Sequence, residues 1–130
     1  MRHARHYTLA EARDLRDWVG SLVDLARTAL EVLSRPESRA ALGAIDIERG
    51  GGWPGRAPAR ATLELQRAIS ELEGADIVVR DVIRGLVDFP AVRDGEEVYL
   101  CWLVDEPEIE HWHELDAGFS GRRRLGRRGP

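Results

Sequence analysis

An α+β domain is the fold class this sequence predicts. Apolar residues recur at helical spacing over residues 8–35 and again over 60–73. Beyond Gly74 the period changes to that of strands, arranged around an Asp94-Gly95 turn. The chain has 130 residues, room for one modest core, and its 43% hydrophobic and 32% charged content is that of a folded soluble domain. The expected architecture is a long antiparallel helical hairpin packed on a small antiparallel sheet of two to three strands, with an irregular C-terminal segment. That single domain is expected to span residues 1–121, with 122–130 as a basic, disordered tail.

The first element opens with Thr8-Leu9-Ala10-Glu11, a capping box with Thr8 as N-cap and Glu11 reaching back. Leu15, Val19, Leu22, Ala26, Ala29 and Leu33 then share one helix face. Arg13 with Asp17 and Arg27 with Glu31 sit at i,i+4. Pro36 ends or restarts the run, and Ser34-Arg35-Pro36-Glu37 reads as a second capping box for a short helix that Gly43 stops. Residues 43–58, with Gly50-Gly51-Gly52 and Trp53-Pro54-Gly55, read as a loop in which Trp53 either plugs the core, the blander reading, or sits exposed at a contact surface. A second, shorter helix is expected from Arg60 to Glu73, with Ala61, Leu65, Ile69 and Leu72 inward and Gly74 as its stop.

Ile77-Val78-Val79 is β-branched and reads as a short strand. The Asp94-Gly95 turn, most simply type I′, sets a hairpin register. Arg93 then faces Glu96, Ala91 faces Val98, Phe89 faces Leu100 and Val87 faces Trp102. One hairpin face is wholly apolar, which calls for the helices as cover. The other holds Leu86, Asp88, Pro90, Tyr99, Cys101 and Leu103, still too apolar to stand in water. Either the segment after Val104 or a second subunit is expected to cover it. Pro90 implies an edge, or a missing N–H that faces outward.

Composition excludes several chemistries. A single cysteine, Cys101, rules out an intrachain disulfide and any Cys-x-x-Cys site. All 19 basic residues are arginine, so Schiff-base and P-loop lysines are absent. No apolar run approaches a membrane span, and the basic N-terminus lacks the apolar core of a secretion signal, which places the chain in the cytoplasm by expectation. Charge is divided along the sequence: nine carboxylates and no arginine lie between Asp94 and Asp116, and five arginines follow in 122–130. That tail is a candidate for phosphate contact, but it has no interleaved aromatics and hangs from an acidic body, so nucleic acid is not the expected partner.

Gly85-Leu86-Val87-Asp88-Phe89-Pro90-Ala91, Arg93-Asp94-Gly95, Leu100-Cys101-Trp102, Glu106-Pro107-Glu108 and Trp112-His113-Glu114-Leu115-Asp116-Ala117-Gly118-Phe119 together resemble the prokaryotic domain-of-unknown-function family numbered 2203. Tyr7-Thr8-Leu9-Ala10-Glu11-Ala12 is similar to the family's opening motif. The resemblance is dense over 85–121 and thin over the helices. It implies membership and, since the family has no established activity, no reaction.

One cluster has the composition of a metal site. His111-Trp112-His113-Glu114-Leu115-Asp116 offers imidazole and carboxylate donors, and Glu106, Glu108 and Glu110 stand nearby. The expected ligands of a divalent ion are His113 and Asp116, which belong to the shared motif, with Glu106 or Glu108 as a third and His111 optional. The bland reading makes Trp112 an anchor and His113 and Asp116 ties to backbone groups. Asp88 beside Cys101 would raise the thiol's pKa, so Cys101 reads as a packed residue rather than a nucleophile. Two functions follow as expectations: a self-associating interaction or scaffold module, most simply a homodimer, and a divalent-metal protein, conceivably hydrolytic, built on the His113/Asp116 cluster.

Overall fold

The structure, a computed structural model, describes residues 1–43 and 55–126. Trp53 and the glycine run therefore lie outside the described residues, as do the last four residues of the chain. The capping box forms as read: Glu11 N–H donates to Thr8 Oγ1 at 3.1 Å, and Thr8 N–H donates to Glu11 Oε1 at 2.9 Å. The helical run divides at Leu15 into α1, Leu9–Asp14, and α2, Arg16–Ser34. Val19, Leu22, Val23, Ala26 and Ala29 form the buried stripe of α2. Arg35 is extended, as a residue ahead of proline must be, and α3 follows from Pro36 to Gly43. Ser34 does not cap α3; its hydroxyl donates back to the Leu30 carbonyl at 2.7 Å.

The helix α4 runs from Arg56 to Gly74, longer than expected. Pro58 falls in its first turn, where the missing N–H has no intrahelical partner to lose, so this proline does not mark a loop. Helices α2 and α4, 19 residues each, pack along one another, with α3 interposed. The helical layer is thus not a plain hairpin. Beyond α4, Asp76 takes the left-handed conformation (φ 60°), and Ile77 N–H returns to the Leu72 carbonyl at 3.0 Å. That is the bond of a Schellman turn, with an aspartate where glycine is usual.

The sheet has five strands rather than two or three. They are β1 (Val78–Asp81), β2 (Leu86–Arg93), β3 (Glu96–Leu103), β4 (His111–Glu114) and β5 (Arg123–Arg124), antiparallel and in sequence order. The last two are only four and two residues long, β4 with one apolar residue and β5 with none, so neither shows strand periodicity on its own; β3 and the strands outward from it impose the conformation. Strand β5 lies within the stretch expected as a tail, and Leu125 N–H extends the pairing to the Glu110 carbonyl at 2.7 Å. The hairpin register is the one the Asp94-Gly95 turn dictates, with both turn residues at positive φ (51° and 80°).

Val87, Phe89, Ala91, Val98, Leu100 and Trp102 join α2 and α4 in one buried core. Trp112, opposite Leu100 on β4, and the fully buried Ile109 extend it. Roughly 25 cal/mol per Å² of apolar surface removed from water makes this layer contact the main stabilising term. No helix among the described residues is long and apolar enough to cross a membrane.

The opposite sheet face is covered by the chain itself. His3 packs edge-on against the Tyr99 ring at 5.3 Å, and the guanidinium of Arg80 lies 4.9 Å from the same ring. Residues before α1 form a strap: Arg2 N–H and His3 N–H donate to the Glu97 carboxylate at 2.6 and 2.9 Å. Tyr7 N–H donates to the Pro90 carbonyl at 2.7 Å, along the part of β2 that β1 leaves unpaired. Pro90 therefore turns its donorless nitrogen toward that edge, and the β2–β3 ladder loses nothing.

Candidate functional site

Three strands bring charged groups together on that second face. Asp88, at the centre of β2, and His113, on β4, are buried to 1% and 2% exposure. His113 Nε2 stands 3.0 Å from each Asp88 carboxylate oxygen. His113 Nδ1 stands 2.6 Å from the Glu114 carbonyl, which only accepts, so Nδ1 carries a proton and donates. Asp88 is also held from β1. The register slips between Val79 and Asp81, and the bulge at Arg80 lets its Nε–H donate to Asp88 Oδ2 at 2.8 Å.

Cys101 lies opposite Asp88 on β3, fully buried. One ligand-type atom from each of Asp88, Cys101 and His113 falls within 4.8 Å of the others, the only such group of His, Cys, Asp and Glu among the described residues. Burial, then the Asp88 carboxylate, push the Cys101 thiol up to about 12, so it is not a nucleophile by itself. Burial pushes His113 down, but its bonds to Asp88 and the Glu114 carbonyl outweigh that, and its pKa is raised.

The five residues singled out from the sequence are distributed over four places. His113 alone sits in the buried group. Asp116 lies on the rim of the same cavity but turns outward, 90% exposed, to Arg2 at 3.2 Å. Glu106 and His111 share Arg122, whose Nη2 donates to Glu106 Oε1 at 2.6 Å and to His111 Nδ1 at 2.8 Å. Arginine cannot accept, so the His111 proton is on Nε2; burial, then Arg122, lower its pKa. Glu108 pairs with Arg16 at 2.9 Å on the helical side. No sequence pattern singles out Arg80, and the hairpin register sets Asp88 beside Cys101 with no histidine on either strand. That register is the signal for the pair; an extended His111–Glu114 turns Trp112 inward, but no sequence signal pairs the segment with β3 and sets His113 opposite Tyr99.

A cavity of about 270 Å³ opens beside this group. Arg80, Asp88 and His113 form its polar side, and Leu86, Leu115 and Phe119 its apolar side. Arg84 and Arg122 stack on the Phe119 ring at 4.5 and 4.9 Å and hold it in place.

A family model described as an uncharacterized conserved protein (DUF2203) matches residues 5–125. No curated protein matches the chain. No solved structure matches it either.

Proposed function

The chain belongs to the DUF2203 family, and from that premise we propose that it is a divalent-metal-binding protein whose centre is Asp88, Cys101 and His113. The observation that carries this reading is the way His113 is held. Its Nδ1–H is committed to a backbone carbonyl, the bond that usually orients a metal-bound histidine, and Nε2 faces the carboxylate and the thiol. An N, O and S donor set of this kind suits zinc-class ions. Asp88, Cys101 and His113 would hold the ion, which would supply Lewis acidity toward a water or substrate oxygen, and the cavity gives access from the Asp88–His113 side. Arg80 would keep its bond to Asp88 and orient the carboxylate from outside the coordination sphere.

Metal analysis of untagged protein, with Zn²⁺ titration of the EDTA-treated chain, tests the proposal. About one equivalent is expected, lost in both Cys101→Ser and His113→Ala. Absence of stoichiometric binding, with melting unchanged by EDTA, overturns it. Loss of metal only in Glu106→Gln or His111→Ala would move the centre to the Arg122 cluster.

A second reading, the self-associating module, rests on a separate observation. Trp18, Leu63 and Ile83 stand 40%, 67% and 62% exposed. Light scattering that finds only a 14.6 kDa monomer at high micromolar concentration would exclude it.

A further inference from the structure

We propose that the cavity beside His113 binds a small amphipathic monocarboxylate, its carboxylate on Arg80 and its apolar body against Leu86, Leu115 and Phe119. The site does not depend on the metal centre. Arg80 is a fork of five N–H donors, of which the Nε–H is taken by Asp88 at 2.8 Å. The remaining donors belong to a side chain that is 40% exposed and lines the cavity. Asp88 accepts from both His113 and Arg80, so its oxygens already have partners and it does not compete for the outer guanidinium donors. Asp116 on the rim faces away to Arg2.

Arg80 is preorganised for this task. Its guanidinium is fixed from one side by Asp88 and from below by the Tyr99 ring, so little rotamer entropy remains to be lost on binding. A planar carboxylate matches the fork in a bidentate manner. A phosphate dianion is the poorer fit, since among the described residues Arg80 is the one arginine lining the cavity and only the three-residue turn Phe119–Gly121 begins there, too short to carry a helix dipole. Size selects the body: a cavity of ~150 Å³ accepts benzene, and about 270 Å³ takes one ring with its carboxylate. Leu86, Leu115 and the ordered Phe119 ring line that volume with the surface such a ring needs.

The test uses the EDTA-treated full chain, titrated with benzoate, benzamide, acetate and inorganic phosphate by calorimetry and by amide chemical shifts. Benzoate is expected to bind saturably and to shift residues 80, 86, 115 and 119. Benzamide, which lacks the charge, should bind at least about tenfold more weakly, and phosphate should not compete. Arg80→Gln should lose benzoate binding. Phe119→Ala should weaken benzoate while leaving acetate unchanged, and it keeps the test decisive if Arg80→Gln fails to fold. Equal binding of benzoate and benzamide, displacement by phosphate, or no saturable benzoate binding overturns the proposal. Because these titrations contain no metal, a failed metal centre leaves their outcome untouched.

Discussion

His113 and Asp88, 25 residues apart in sequence, meet with the imidazole Nε2 3.0 Å from both carboxylate oxygens. Both side chains are almost wholly buried. Such a pair contributes little net stability against an apolar replacement, but breaking it strands a charge. Asp88→Ala leaves His113 and Arg80 without their acceptor and should cost about 3–5 kcal/mol in urea unfolding. A loss below about 1 kcal/mol would mean that water reaches the imidazolium.

The same pair shapes the pH profile of metal-free protein. The folded-state pKa of His113 is raised above 6.5, so its contribution is complete below that value and is lost as pH rises through the raised one. Glu97 has the opposite sign. Burial opposes its ionisation, but the His3 N–H, the His6 ring and the Arg2 N–H carry it from 4.5 down to about 2. Its contribution is present above about 4.5 and lost as pH falls through about 2. Denaturation from pH 2 to 9 should show both limbs, with Glu97→Gln flattening the acid one. An unaltered acid limb in that variant would remove Glu97 as the clasp of the N-terminal strap.

Metal affinity should fall steeply with acid. Binding at Asp88, Cys101 and His113 displaces a thiol proton held up to about 12 and, below the raised pKa of His113, an imidazole proton as well, so about two protons leave per ion in acid and about one above that pKa. Calorimetry in buffers of different ionisation enthalpy counts them. Zinc bound without proton release would place it elsewhere.

Trp102 is 4% exposed in the core, and its Nε1–H donates to the Glu106 carbonyl at 3.0 Å. Trp102→Ala removes a large core side chain and that donor together, an expected loss of about 3–5 kcal/mol. Near-native stability in this variant would contradict the packing of β3 against the helices.

Gly85 has φ +71°, and a Cβ there would stand 2.6 Å from Val104 Cγ2 and against the Arg27 guanidinium. Arg27 could move; the short connection carrying Val104, bonded to the Gly85 carbonyl at 2.9 Å, has less freedom. Gly85→Ala should therefore destabilise by more than about 1 kcal/mol. A melting temperature equal to the parent's would show that the turn relaxes.

By itself the sequence determined what is local. Thr8 and Glu11 close their capping box, the α2 stripe is buried, and Asp94-Gly95 sets every pair from Arg93–Glu96 to Val87–Trp102. Each depends on neighbours a few residues apart, where spacing and backbone conformation are encoded directly. Family membership was legible for the related reason that the motif of residues 85–119 is nearly contiguous. Tertiary structure alone decided the rest. Arg13 and Arg27 stand at i,i+4 from acids, yet Arg13 reaches Glu108 and Arg27 reaches Asp105. His113 was visible as a ligand-type residue, but its partner depended on β4 docking beside β3, a pairing that a four-residue strand with a single apolar side chain does not announce. Asp116, three positions on, leaves the strand and turns to the N-terminus. A site assembled from β1, β2, β3 and β4 exists only once the sheet is closed, because long-range pairing brings together side chains whose separation in sequence carries no periodic signal.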